Sequence, residues 1–412
     1  MRNLFKIALR NLRRYRRRTV LTASLITIGV VFVLVFVSVS GSFKAMMIGQ
    51  ITDSMLGHVQ VHRKGYVASI DNLPLNLNLR PPMMKKLDEV LGSLEAVEAY
   101  SPRIKFGGMF SNFVETTNIR LNGVYPEREM RTVPLLASRI FDGKAAIENG
   151  EIIIPTLLSR GMGVRVGDAI VIVATNKDGS VNGKQFRVAG ILESVTGPGG
   201  RDGFVHIEDA MEVLRMTEME VSEVAIRLKD FGRLGSFTDT LEGLLAGDVN
   251  RQGMPVFEVH SWEKLSPFYN IARMLDVMTF FIKLMLIAIV LISIMNVMIM
   301  AVYERIREIG TIAAIGTPPG KILSMFVIEG LCLGVLGALS GSILGVVILW
   351  LIDMAKIPFN FGQQKGLILS ATVQPADLAV ISGIVILVSV IASLQPAIKA
   401  SRMEPITALR HV

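Results

Sequence analysis

Four long apolar stretches, residues 19–40, 278–302, 324–352 and 376–395, constrain this chain more than any other feature. A helix rising 1.5 Å per residue needs roughly 20 such residues to cross the hydrocarbon core of a bilayer. Soluble cores are built from shorter, amphipathic segments, so the chain reads as an α-helical membrane protein with four transmembrane helices. A composition of 51% hydrophobic and 19% charged residues, with a positive mean hydropathy, agrees.

Charge gives the topology. Residues 1–18 carry eight Lys/Arg and no acid, whereas residues 44–272 carry 25 Lys/Arg against 28 Asp/Glu. The positive-inside rule then places the amino terminus in the cytoplasm. The expected order is a basic segment 1–18, helix 19–43, a large extracytoplasmic domain with stalks 44–272, and helix 273–302. A cytoplasmic segment 303–323, helix 324–352, an external loop 353–375, helix 376–396 and a cytoplasmic tail 397–412 follow. The basic start abuts an apolar run, which favours contact with anionic lipid over nucleic acid. The single cysteine, Cys332, permits no intrachain disulfide and reads as a small buried apolar residue.

The domain between the first two helices reads as mixed α/β. Residues 58–62, 169–175, 185–191, 204–207 and 224–228 have strand character, and 81–97 and 207–216 have helical character. In the Gly-rich loop 196–203, residues Gly197, Pro198, Gly199, Gly200 and Arg201 are a contact point for an external partner, or a plain connection between strands. His58 and His62 share a strand face; they read as a surface pair rather than as metal ligands.

Gly316-Thr-Pro-Pro-Gly-Lys321 imitates a phosphate-binding loop, but its spacing is one residue short. Ile322 stands where a hydroxyl would hold Mg²⁺, and Pro318 and Pro319 remove two N–H donors. No zinc or triad motif accompanies it, so no catalytic residue, cofactor site or metal site is assigned to this chain. Residues 303–316 instead suit a short helix. Glu304 with Arg307 and Arg305 with Glu308 are spaced i,i+3, Ile306, Ile309 and Ala313 form an apolar row, and Gly316 and the prolines end it. Further on, Gly330, Gly334, Gly337, Gly341 and Gly345 are spaced by 4, 3, 4 and 4 residues, which marks one helix face for close packing in lipid.

The stretch YERIREIGTIAAIGTPPGKILSMFVIEG resembles the signature of MacB/LolC/FtsX-like permeases of ABC transporters, through Glu304, Arg305, Glu308, Ile309, Gly310, Ala314, Gly316, Glu329 and Gly330. The start, ALRNLRRYRRRTVLTASLITIGV, and the ending, through Pro396, Ala397, Ala400, Pro405, Ala408, Leu409 and Arg410, are similar too. Pro318-Pro319 departs from the family's usual polar residues, which leaves the end of the short helix open.

The resemblance implies a non-catalytic permease subunit in the bacterial inner membrane, its stalks driven by a cytoplasmic ATPase dimer that binds ATP and Mg. Tyr303, Glu304, Arg305, Arg307, Glu308, Ile309, Gly310, Ala314 and Gly316 would form the ATPase-coupling helix. A second permease protomer, membrane lipid, and a periplasmic adaptor or lipoprotein carrier are the other implied partners; nucleic acid is not. Lipoprotein release or MacB-like efflux is the leading implied activity. The alternative is an FtsX-like regulator that bends an outside domain to activate a cell-wall hydrolase and transports nothing.

Overall fold

The computed structural model describes residues 2–193, 202–356, 358–361, 364–368 and 374–404. The loop residues Gly197 to Arg201, and Pro405, Ala408, Leu409 and Arg410, lie outside them. The chain divides into two compact units. The first comprises residues 1–45, 272–358 and 368–412, and the second residues 46–271 and 359–367.

The first unit is helical. It contains α1 (Arg2–Arg14), most of α2 (Arg16–Ile51), α3 (Tyr269–Glu304), α4 (Ile306–Ala314), α5 (Pro319–Ala355) and α6 (Pro375–Ser401). Helices α2, α3, α5 and α6 are long and apolar enough to cross a membrane. Each overruns its apolar window, because backbone hydrogen bonding continues into polar residues beyond the hydrocarbon core. Ile26, Val30 and Leu34 of α2, Val290 and Ile294 of α3, Phe326 and Leu333 of α5, and Val385 and Ala392 of α6 share one buried cluster.

The second unit is mixed α/β. Its main sheet has the strands β1 (Val59–Arg63), β2 (Val97–Ser111), β3 (Thr116–Val124), β4 (Ile140–Gly143), β5 (Glu151–Pro155), β6 (Ala169–Thr175), β7 (Val181–Leu192), β8 (Asp202–His206), β9 (Glu223–Leu228) and β10 (Phe257–Ser261), and Pro358–Phe361 pairs with Gln364–Ile368 in a separate two-stranded sheet. The pairings β2–β3, β3–β8, β8–β5, β5–β7, β7–β6 and β6–β2 close on themselves as a barrel. Ile104, Phe106, Phe110, Ile119, Leu121, Ile172 and Phe186, all on barrel strands, are buried. The first half of β2 also pairs with β9, and β9, β1 and β10 extend the sheet from there. Thus the first and last strands of the main sheet in chain order, β1 and β10, are antiparallel neighbours, with Val59 opposite Ser261.

The helix expected over 81–97 stops at Ser93, because Val97 already belongs to β2. The surface reading of the two histidines is corrected. His58 and His62 are both buried. His58 Nδ1 accepts from Leu228 N at 3.0 Å, and His62 stacks on Tyr66. No group of three metal-ligating side chains exists among the described residues.

A buried ion cluster ties β2, β9 and the helix Pro126–Thr132 together. Arg103 bridges Glu129 at 2.7 Å and Glu223 at 2.9 Å, and Lys105 reaches Glu223 at 3.0 Å. Burial opposes the charge on Glu223, but Lys105, His62 and Arg103 outweigh it and hold the carboxyl well below the usual range. A depressed carboxyl stabilises the fold fully above its ordinary value of about 4.5. The contribution declines below that pH and is gone once the pH passes the folded value. Glu223→Gln is expected to destabilise this unit by about 3–5 kcal/mol at neutral pH, since it leaves buried cations underpaired. The gap from wild type should close in acid. Emission from Trp262 during denaturation of the full chain, in a Trp350→Phe background, measures this; a gap unchanged in acid would remove the assignment.

Candidate functional site

The Glu304–Gly316 motif sits between two spanning helices, and the backbone shows how. Helix α3 continues through Tyr303 and Glu304, so these two residues are not part of α4. Arg305 breaks the helix at φ −117°, ψ 15°, and α4 begins at Ile306. Ile309 and Gly310 face inward, and Ala313 packs on the buried cluster. After Ile315, Gly316 adopts φ +94°, a left-handed conformation that glycine accepts readily, and Thr317 N closes the turn on Ile312 O at 3.3 Å. Pro318 then precedes α5 and Pro319 occupies its first turn, where a missing N–H costs nothing. The proline pair is therefore a helix stop followed at once by a helix start.

The break at Arg305 turns its side chain inward. It is 5% exposed, with Nε 3.1 Å from Glu308 Oε2 and Nη1 3.5 Å from Glu329 Oε2. Glu329, on α5, has no exposed surface, and its other oxygen lies 3.4 Å from Arg18 Nη2 on α2. Arg18 also bonds Glu304 at 2.9 Å, and Arg14 of α1 bonds Glu308 at 3.4 Å. The guanidinium groups of Arg14, Arg18 and Arg305 all lie within 6 Å of the Tyr15 ring centre. Five helices are thus joined by one alternating chain of charges. Buried charges persist only when paired in this way.

The outer side of the segment is different. Tyr303 is 63% and Ile315 81% exposed, and Arg307, Thr311 and Ala314 are exposed with them. Of the pairs read from spacing, Arg305–Glu308 is present, whereas Glu304 is engaged by Arg18. Arg14, Tyr15 and Arg18 were not among the expected site residues. Their only signal is the acid-free amino terminus, which spoke for topology.

The glycines of α5 face two neighbours. A methyl group placed on Gly330 would sit 2.5 Å from Ser393 Cβ, and one on Gly334 would collide with Ser389, both on α6. On Gly337, Gly341 and Gly345 it would meet Ile26 at 2.5 Å, Val30 at 2.6 Å and Leu34 at 2.9 Å, all on α2. Ser389 and Ser393 satisfy their hydroxyls on their own helix, through Val385 O and Val390 O, so the close approach strands no polar atom.

Four helices long and apolar enough to cross a membrane, together with the barrel-bearing domain, define the class of multi-pass membrane proteins. Residues 19–244 match the MacB-like periplasmic core domain and residues 280–405 the FtsX-like permease C-terminal family. The chain belongs to the MacB/LolC-like permeases of ABC transporters. It is 24% identical over 432 residues to the lipoprotein-releasing system transmembrane protein LolC of Neisseria meningitidis, covering 98% of each chain. It is 27% identical over 413 residues to the macrolide export ATP-binding/permease protein MacB of Nitrobacter winogradskyi, covering 95% of this chain and 58% of that one. Among solved structures, the periplasmic region of MacB from Actinobacillus actinomycetemcomitans aligns at 11% identity and a TM-score of 0.35, over 51% of this chain and 92% of that one.

Proposed function

We propose that this chain is the transmembrane subunit of an ABC-type exporter. It couples ATP hydrolysis, with ATP and Mg held by a partner ATPase, to movement of its barrel-bearing domain. In this reading the chain lies in a bacterial inner membrane with both termini cytoplasmic and residues 44–272 outside. A second permease protomer completes the complex, and an adaptor or lipoprotein carrier meets the domain outside. The end-to-end match to LolC supports lipoprotein release over macrolide efflux.

The observation that carries the reading is the division of labour at α4. The outer side of the segment from Tyr303 to Ile315 exposes Tyr303 and Ile315, while its inner side is wired through Arg305 and Glu308 to Glu329, Arg18 and Arg14. A push on the outer face is thereby delivered to α1, α2, α3 and α5 together. Motion of α2 and α3 would reach the main sheet along the chain through β1 and β10, its adjacent first and last strands.

The test is affinity purification of the full chain from its native membrane. An ATPase should copurify, and Ile315→Asp and Glu304→Lys should each reduce its recovery and ATP turnover at least several-fold while the permease stays in the membrane. Equal recovery and turnover in both variants would exclude this coupling surface. Gly310 is unsuited to the test, because it is buried and a large side chain there disturbs the fold itself.

A further inference from the structure

We propose that the outward face of α1 is a binding surface for anionic phospholipid headgroups. The inference does not rest on the coupling role of α4. It starts from the bend between α1 and α2. Thr19 Oγ1 donates to Leu12 O at 2.9 Å as well as to Tyr15 O. In a straight helix, residues seven apart are separated by about 10.5 Å along the axis, beyond the reach of a hydroxyl. The contact therefore requires α1 to leave the axis of α2 sharply at Tyr15, the single non-helical residue between them. Because α2 is long and apolar enough to cross a membrane and its apolar run begins just after Arg16, Arg17 and Arg18, a bend at Tyr15 falls where such a helix would meet the headgroups.

The two sides of α1 then have different partners. Ala8, Asn11 and Leu12 are buried, and α1 packs on α5. On the opposite side Lys6, Arg10 and Arg13, spaced i, i+4 and i+7, form one exposed stripe. None of these three has an ion-pair partner among the described residues, unlike Arg14 and Arg18. No acid occurs before Asp53, so nothing nearby in sequence neutralises the stripe. Phe5 and Ile7, on either flank, are 50% and 45% exposed. A basic stripe flanked by exposed apolar side chains suits the interface better than an acidic protein partner. The Lys and Arg stems lie along the acyl boundary, their heads reach phosphate, and the flanking side chains enter the lipid.

The test uses the full chain in nanodiscs of mixed phosphatidylcholine and phosphatidylglycerol, with the lipids retained on the protein counted by native mass spectrometry. Wild type is expected to retain phosphatidylglycerol above its share of the bilayer. Each charge removed should lower that preference about five-fold, so that Lys6→Gln, Arg10→Gln and Arg13→Gln together abolish it. The charge-conserving set Lys6→Arg, Arg10→Lys and Arg13→Lys should keep it, which separates charge from any loss of folding. Raised salt should weaken the preference of wild type. Retention in bulk proportion by wild type, or a preference unchanged in the charge-removed variant, overturns the proposal. Loss of a copurifying protein from the charge-removed variant without loss of lipid preference would overturn it in favour of a protein-docking face.

Discussion

Gly341→Ala is expected to lower the stability of the helical unit, although alanine is the better helix former by about 1 kcal/mol. The added methyl would lie 2.6 Å from Val30 Cβ, with Thr27 O at 3.1 Å. Val30 is β-branched and fully buried, so neither its side chain nor the α2 backbone can retreat cheaply. Overpacking of this kind costs about 1–3 kcal/mol. Gly383→Ala on α6 is the control, since a methyl there meets nothing within 4 Å; it should be neutral or slightly stabilising. Leucine at both Gly337 and Gly341 should force α5 away from α2, and the two effects will not add independently because Ile26 and Val30 are one turn apart on the same helix. Thermal unfolding of the full chain in detergent, followed by helical circular dichroism, reads all three against wild type. If Gly341→Ala melts with Gly383→Ala, this helix contact is not tight.

The glycine face shows what sequence could and could not reveal. Spacing placed Gly330 to Gly345 on one side of a helix, but nothing local told that the side divides. The first two glycines meet serines of α6 and the next three meet branched side chains of α2, some 300 residues earlier in the chain. The spanning helices were legible because hydropathy over 20 residues is a strong local signal. Strands β6, β8 and β9 were legible from short apolar runs. The barrel was not. Strand β2 contains Pro102, Gly107 and Gly108, which break its alternation, and β3 alternates with too many polar residues to stand out. Its closure depends on β2 and β6 pairing across more than 60 residues, as in Gly108 with Ala174. The charge chain was hidden for the same reason. Arg18 lies 286 residues from Glu304 and 311 from Glu329, so only the Arg305–Glu308 link could be read from spacing.

That charge chain supports the second large effect. Glu329→Ala should both destabilise the helical unit and uncouple the ATPase, because the carboxylate is fully buried between Arg18 and Arg305. Removing one member of a buried ion pair costs about 3–5 kcal/mol, most of it from the partner charge left behind. The loss should fall toward the lower end, since Arg18 is partly exposed and keeps Glu304 while Arg305 keeps Glu308. Glu329→Ala alone cannot separate a fault in folding from a fault in transmission. Arg305→Met with Glu329→Met can, since exchanging a buried pair for apolar side chains of similar size is often neutral or stabilising. The double variant should melt close to wild type and still fail to stimulate the copurified ATPase, because α4 has lost its link to α5. Melting and ATP turnover would be measured on the same preparation. Full recovery of both in the double variant would make the network a device of folding alone, whereas recovery of melting without turnover would identify Arg305 and Glu329 as the link through which α4 moves α5.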